Sequence, residues 1–229
     1  IYKDKKICKQ QMAKLKKPLK IQIERIIELE GFKGKARSIA SSYTDKKIAS
    51  PRIILVGLGE QKKIIAESYR KAGALAAKTA KSLKVKNLAI QFPQLPEGSI
   101  ATIEDISQSI GEGALLSQYK FDKYITSKEE DEVKLGKLTI FSNQESELKL
   151  ISDGVKTANV ICDGVILARN LVNAPASEIY PDTFAQAAKE SSETFGFQTT
   201  VWDEKKIKQE GFGGLSGVSR GSTKPARFI

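Results

Sequence analysis

Histidine is absent from all 229 residues. No Ser-His-Asp triad, Cys-His pair or His-ligated zinc can therefore be built from this chain alone. Any chemistry must run on carboxylates, Lys, Arg, Tyr, Cys or backbone groups. Three short stretches have residue types and spacing that invite such a reading. Gly217-Val218-Ser219-Arg220-Gly221 matches the G-x-S-x-G pattern of a nucleophile elbow. A serine needs a base to become a nucleophile, and the adjacent Arg220 cannot accept a proton. These glycines are read instead as positions where the backbone turns tightly. Val56-Gly57-Leu58-Gly59 follows an apolar run and precedes a helical pattern, the setting of a dinucleotide-binding loop. Its third glycine would fall at position 62, which is Lys62. A plain strand-to-helix turn is the preferred reading, and an anion held by free N–H groups at the helix N-terminus stays open. Glu129-Glu130-Asp131-Glu132 is a dense run of carboxylates. Oxygen-ligand metal sites draw on spaced positions of a rigid frame, so a solvated loop is expected there.

Charge divides the chain. The net charge is +11 overall, but residues 1–100 carry +15, residues 101–150 carry −4 and residues 151–229 are neutral. Two units of different character are expected. A basic first half can serve solubility, or it can attract nucleic acid, an anionic surface or an acidic partner. Cys8 and Cys162 lie far apart with no CxxC spacing, which reads as reduced thiols in a cytoplasmic protein. The longest apolar runs fall well short of the ~20 residues that a membrane span needs. The first ten residues are charged and show no apolar signal segment. The chain begins without Met and finishes on Arg227-Phe228-Ile229, the opening of a strand; both ends are expected to be cuts.

The elements that must position these groups follow from periodicity. Pro18 opens a helix carrying Leu19, Ile23, Ile26 and Ile27, closed by Gly31 and Gly34. Ala36–Tyr43 reads as a strand, followed by a turn at Thr44-Asp45-Lys46-Lys47. Arg52–Gly57 is continuously apolar after its first residue, as a central parallel strand buried on both faces would be. A helix over Lys62–Leu83, a strand over Asn87–Phe92, a helix over Ile100–Tyr119 and a strand over Lys137–Phe141 complete an α/β layer with a mostly parallel sheet. From Glu145 to Leu171 apolar residues keep helical spacing for some 25 residues, long for a globular helix. Asn173-Ala174-Pro175 breaks it. Pro181 opens another helix, Phe197–Trp202 reads as a strand, and Asp203 caps a short helix to Gln209. Gly211–Gly221 is expected to be loop-like in part.

The stretch Leu167-Ala168-Arg169-Asn170-Leu171-Val172-Asn173-Ala174-Pro175, continuing to Pro181, resembles the leucyl (cytosol) aminopeptidase family, where a long helix ends in a similar Arg/Asn/Pro pattern. Gly31-Phe32-Lys33-Gly34-Lys35, Val56–Gly59, Glu112-Gly113-Ala114-Leu115-Leu116 and Tyr119–Tyr124 resemble landmarks of that family's N-terminal domain. Gly213–Ser222 with Pro225-Ala226-Arg227 resembles the start of its catalytic domain. The order and spacing of these landmarks, from about Gly31 to Ile229, carry the resemblance.

The resemblance implies a macro-domain-like α/β domain at 1–144, a connecting helix at 145–172, and the incomplete start of an α/β catalytic domain at 173–229. It implies a homohexameric, metal-dependent exopeptidase acting on peptides, often at N-terminal Leu. In the family two divalent ions, Mn or Zn, are held by Asp and Glu carboxylates and one Lys, and a bridging water attacks the peptide carbonyl. Such a site needs no histidine. The family's K-G-x-T-x-D-[ST]-G-G and N-T-D-A-E-G-R type segments do not occur in this sequence. No catalytic or metal-binding residue is therefore assigned to this chain, which is expected to bind no metal and to be inactive by itself. Where the family commonly has Gly, Ser219 stands here, which weakens its reading as a nucleophile further. The alternative is a basic N-terminal module that binds DNA or assembles the oligomer. Exposed apolar surface is expected at Phe228 and Ile229.

Overall fold

The computed structural model describes residues 1, 3, 12–13, 15–95, 99–126 and 133–229. They divide into two compact units, Ile1–Ile166 and Leu167–Ile229. The acidic run at 129–132, Cys8 and Pro96 lie outside the described residues.

In the first unit, helix α1 (Lys17–Leu29) carries Pro18 in its first turn. There the missing N–H of proline costs nothing. Gln22, Ile23 and Ile26 face inward at helical spacing, and Gly31 turns the chain away with a positive φ of 57°. Strands β1 (Ile39–Tyr43) and β2 (Arg52–Val56) then pair antiparallel, from Ile39 opposite Val56 to Tyr43 opposite Arg52. This corrects the reading of Arg52–Gly57 as a central parallel strand. Among its five residues only Leu55 is buried, because one face of the pair covers the α1 core while the other is partly open. That core joins Met12, Ile23, Ile26, Phe32, Ala40 and Leu55.

A 3-10 turn at Gln61–Lys63 leads into helix α2 (Ala66–Ser82). Strand β3 (Asn87–Gln91), helix α3 (Ile103–Leu116) and strand β4 (Lys137–Phe141) follow. Strands β3 and β4 pair in parallel, Asn87 with Lys137 through Gln91 with Phe141. A parallel pair needs a crossover, and α3 lies within this one. Thr102 and Asp105 cap α3 reciprocally: the Asp105 N–H donates to Thr102 Oγ1 at 3.1 Å, and the Thr102 N–H donates to Asp105 Oδ2 at 2.9 Å. Leu58, Tyr69, Phe92, Ile106, Ile110 and Ile151 form the core around it.

Three helices pack without room for side chains at their crossings. A Cβ on Gly73 of α2 would overlap the Ile110 carbonyl, and one on Gly113 of α3 would overlap the Arg70 carbonyl. Helix α4 (Glu145–Asn173) closes the other side, where a Cβ on Gly154 would overlap Ser107 and Glu104. Its 29 residues extend about 44 Å at helical rise. Ile151, Gly154, Ala158 and Cys162 are its buried positions, and none is buried beyond Cys162.

The second unit takes the end of α4, then α5 (Pro181–Phe195), α6 (Glu204–Gln209) and α7 (Gly213–Ser219). Asp203 accepts from the Lys206 N–H at 2.8 Å, the expected cap of α6. The strand expected at Phe197–Trp202 is reduced to one antiparallel bridge between Trp202 and Phe228. A strand needs a ladder along its length, and here a single residue finds a partner. Among the described residues the buried apolar side chains of this unit are Ala185, Ile207 and Ala226. Phe228 and Ile229 are exposed, as the sequence leads one to expect.

The packing gives opposite signs for two chemically identical substitutions. Gly113→Ala should lower stability by about 1–3 kcal/mol, the usual cost of overpacking. Gly164→Ala lies in the same long helical layer but meets open space, and should raise stability by up to ~1 kcal/mol. Urea unfolding midpoints of the two variants check both directions.

Candidate functional site

The Gly57–Gly59 turn is already filled by the chain itself. The Gly57 N–H donates to the Ser38 carbonyl at 2.8 Å, the Leu58 N–H to the Ile1 carbonyl at 2.9 Å, and the Gly59 N–H to the Gly34 carbonyl at 3.0 Å. All three donors that a phosphate would require are thus spent on backbone oxygens. A Cβ on Gly57 would overlap the Lys35 carbonyl, so this glycine allows two backbone segments to meet. At α2 the Ser68 side chain accepts from the Ile65 N–H at 3.3 Å, occupying part of the helix N-terminus as well. The structure supports the plain turn and leaves no nucleotide loop here.

Beside this turn, Glu60 receives Lys3 and Lys63, both at 2.9 Å. The hydrogen bond from Lys3, then that from Lys63, holds the Glu60 carboxyl at about 2 against an ordinary 4.5. The same carboxylate raises Lys63. The Lys3 N–H also donates to the Gly59 carbonyl at 2.9 Å, so this charge cluster fastens residue 3 to the turn.

Ser219 is the last residue of α7, not the apex of a strand–turn–helix elbow. Its Oγ donates to the Ser216 carbonyl at 3.1 Å, a local helical bond. Arg220 follows it as the helix C-cap. Neither contact supplies a base, and the nucleophile pattern has no catalytic geometry.

Two further ion pairs among the described residues lie between residues far apart in sequence. Glu112 is buried in α3 and accepts from Arg70 Nε and from Gln108 Nε2, each at 2.7 Å. Arg70 also pairs with Glu67 on its own helix, which lowers the Glu67 carboxyl. Every partner in this group belongs to the α2–α3 contact, so its chemistry is structural. In the second unit Arg227 Nη2 meets Asp182 Oδ1 at 2.6 Å. Together with Gln186, Lys189 and Val201 they line an open cleft of about 430 Å³. Nothing in local spacing announces either pair, because pairing at separations of 42 and 45 residues is a product of the fold.

The Asn/Pro segment that ends α4 is ordered by its own backbone. The Pro175 carbonyl accepts from the Glu178 and Ile179 N–H groups at 2.9 and 3.0 Å. The Tyr180 N–H donates to Thr183 Oγ1 at 3.0 Å as Pro181 starts α5. Among the described residues, no three His, Cys, Asp or Glu side chains gather where a metal ion could sit. These residues do not fit a two-metal centre, and no catalytic step is assigned to them. No helix among the described residues is long and apolar enough to cross a membrane.

An α/β unit with flanking helices, followed by a long helix and a second, thinly packed unit, is therefore the class of protein that this chain represents. Family comparison sharpens it. The N-terminal domain of the cytosol aminopeptidase family matches residues 1–128, and the catalytic domain of that family matches residues 166–229. The chain belongs to the cytosol aminopeptidase family. A probable cytosol aminopeptidase of Aquifex aeolicus is 34% identical over 218 residues, covering 95% of this chain and 42% of that protein. Its counterpart in Sulfurihydrogenibium sp. is 29% identical over 100% of this chain and 44% of its own length. This chain thus spans less than half the length of these curated relatives. Among solved structures, the bottromycin maturation enzyme BotP in complex with Mn has a TM-score of 0.70 at 25% identity, covering 88% of this chain and 40% of that one. A mutant of tomato leucine aminopeptidase has a TM-score of 0.68 at 27% identity, covering 86% and 39%.

The Glu60 cluster makes a pH prediction. Its carboxyl is depressed in the folded chain, so its contribution is present above about 4.5 and is lost as pH falls toward 2. Glu60→Gln should remove that part of the acid limb. Urea midpoints measured from pH 6 to pH 2 for both proteins check this: the gap between them should close as pH falls.

Proposed function

We propose that this chain supplies the N-terminal domain (1–144), the connecting helix (145–172) and the first part of the catalytic domain (173–229) of a metal-dependent aminopeptidase. The whole enzyme would release N-terminal residues, often Leu, from peptides, in the cytoplasm and as a homohexamer. One observation carries the reading: both domains of the cytosol aminopeptidase family match one chain in order, at 1–128 and 166–229. Two divalent ions, Mn or Zn, would be held by carboxylates in the part of the catalytic domain that relatives carry beyond the matched region. When bound, such a pair lowers the pKa of a shared water and stabilises the oxyanion that develops on the peptide carbonyl. The residues of this chain would hold neither ion. Their part is to build the domain that supports assembly and the frame on which the catalytic sheet begins.

A second reading rests on the +15 net charge of residues 1–100: a basic surface for duplex DNA. Such binding would fall steeply with salt, because each neutralised phosphate releases counterions. A flat salt response, or no duplex binding at about 50 mM salt, removes this reading.

The aminopeptidase reading has a direct assay. The purified chain with Mn²⁺ should not hydrolyse a Leu-anilide substrate, whereas a protein with the complete catalytic domain should, and should lose activity with EDTA. EDTA-sensitive turnover by the chain alone would contradict the assignment of the metal pair to residues outside it.

A further inference from the structure

Lysines collect at one end of the first unit. Helix α2 carries Lys78 and Lys81 near its C-terminus, and the chain reaches β3 through Lys84 and Lys86. Strand β4 opens beside β3 with Lys137 opposite Asn87, and Lys134 stands just before it. Backbone bonds fix these segments together. The Val85 N–H donates to the Ala80 carbonyl at 2.9 Å, and the Gly136 and Lys137 N–H groups share the Lys86 carbonyl at 2.8 and 3.2 Å. Residues 78–86 and 134–137 hold six lysines and no carboxylate.

Lys81 lies in the last turn of α2, where the negative end of the helix favours a cation. That effect fades beyond the last turn, so it does not account for Lys86, Lys134 and Lys137. Lys78, Lys86, Lys134 and Lys137 are exposed. Among the described residues none of these four meets a carboxylate. Elsewhere Lys63, Lys71 and Lys156 each meet one within four residues. Like charges held close on a fixed frame raise the local potential and draw anions.

The chemistry of the cluster selects the anion. Residues 78–86 and 134–137 contain no Arg and no aromatic ring. Protein–protein contacts are enriched in both and depleted of Lys. Single-stranded nucleic acid needs rings on which its bases can stack, and a guanine edge is commonly read by Arg. Ammonium groups on long stems instead meet phosphates as point charges. We infer that this end of the first unit is a sequence-independent contact for the phosphate backbone of duplex nucleic acid, with Lys78, Lys86, Lys134 and Lys137 as its cations. The inference rests on the second reading above and gives that reading a location.

The test measures binding of this chain to a short fluorescent duplex of mixed sequence by anisotropy, over a series of salt concentrations. Four phosphate contacts give a slope of log K against log salt of about −3.6. Lys86→Ala with Lys137→Ala should reduce its magnitude by about 1.8. Lys17→Ala with Lys47→Ala removes the same charge from exposed positions on α1 and in the turn after β1, and should leave the slope unchanged. Urea midpoints check that each variant is folded. Equal losses from the two pairs would mean attraction by diffuse charge and overturn the contact. Duplex binding that survives Lys86→Ala with Lys137→Ala at the original slope also overturns it, while the DNA reading stands. Absence of duplex binding removes both. Displacement of the duplex by polyglutamate at equal charge concentration would make an acidic polypeptide the occupant. A strong preference for one duplex sequence over its scrambled counterpart contradicts a contact made through phosphates alone.

Discussion

Helix α3 is held so closely between α2 and α4 that backbone meets backbone, and the first unit is organised around that constraint. From Ile106 to Ala114 every residue except Gln108 is buried. A helix enclosed to this degree must satisfy its polar groups internally. Ser107 does so by donating to the Ile103 and Glu104 carbonyls at 2.8 and 3.0 Å, and Glu112 by receiving Arg70 and Gln108. Gly73, Gly113 and Gly154 stand where any side chain would strike a neighbour. Leaving one partner of a buried charge alone is costly, so the Arg70–Glu112 pair restricts α2 and α3 to one register as firmly as the glycines restrict their separation.

The same economy of backbone contact removes the sites that the motifs suggest. The Gly57–Gly59 turn spends its donors on the chain itself, and Ser219 spends its hydroxyl on its own helix. What remains is a first unit that is closed and a second that is not. The first has two apolar cores. The second has an aromatic cluster at its surface and an ion pair, Asp182–Arg227, tying the start of α5 to the last residues of the chain. The contrast is one of burial: among the described residues the apolar side chains that the second unit buries are Ala185, Ile207 and Ala226.

Much of this was legible in the sequence where a physical signal is local. Pro18 and Pro181 mark helix starts, Asp203 marks a cap, and the spacing from Glu145 marks the long helix almost to the residue. The misreadings have a common cause. Ile53–Val56 is apolar whether its partner runs parallel or antiparallel, so the run could not reveal its pairing with β1. Phe197–Trp202 has strand composition but only one partner residue. The glycines of α2, α3 and α4 carry no local signal of their role, which depends on the helix crossings. The Arg70–Glu112 and Asp182–Arg227 pairs left no trace in spacing. For the site itself, the Arg/Asn/Pro segment and the landmarks around it carried the resemblance to the family, and the Gly57–Gly59 and Gly217–Gly221 patterns were legible as turns without catalytic partners.

Native-state hydrogen exchange across the free chain tests most directly the claim that one unit is closed and the other open. Amides of 106–114 should exchange only when the whole first unit unfolds. Those of the second unit, the bridged Trp202 and Phe228 included, should exchange orders of magnitude faster through local opening. Equal protection in the two units would contradict the account, because it would mean that residues 167–229 already possess a complete core.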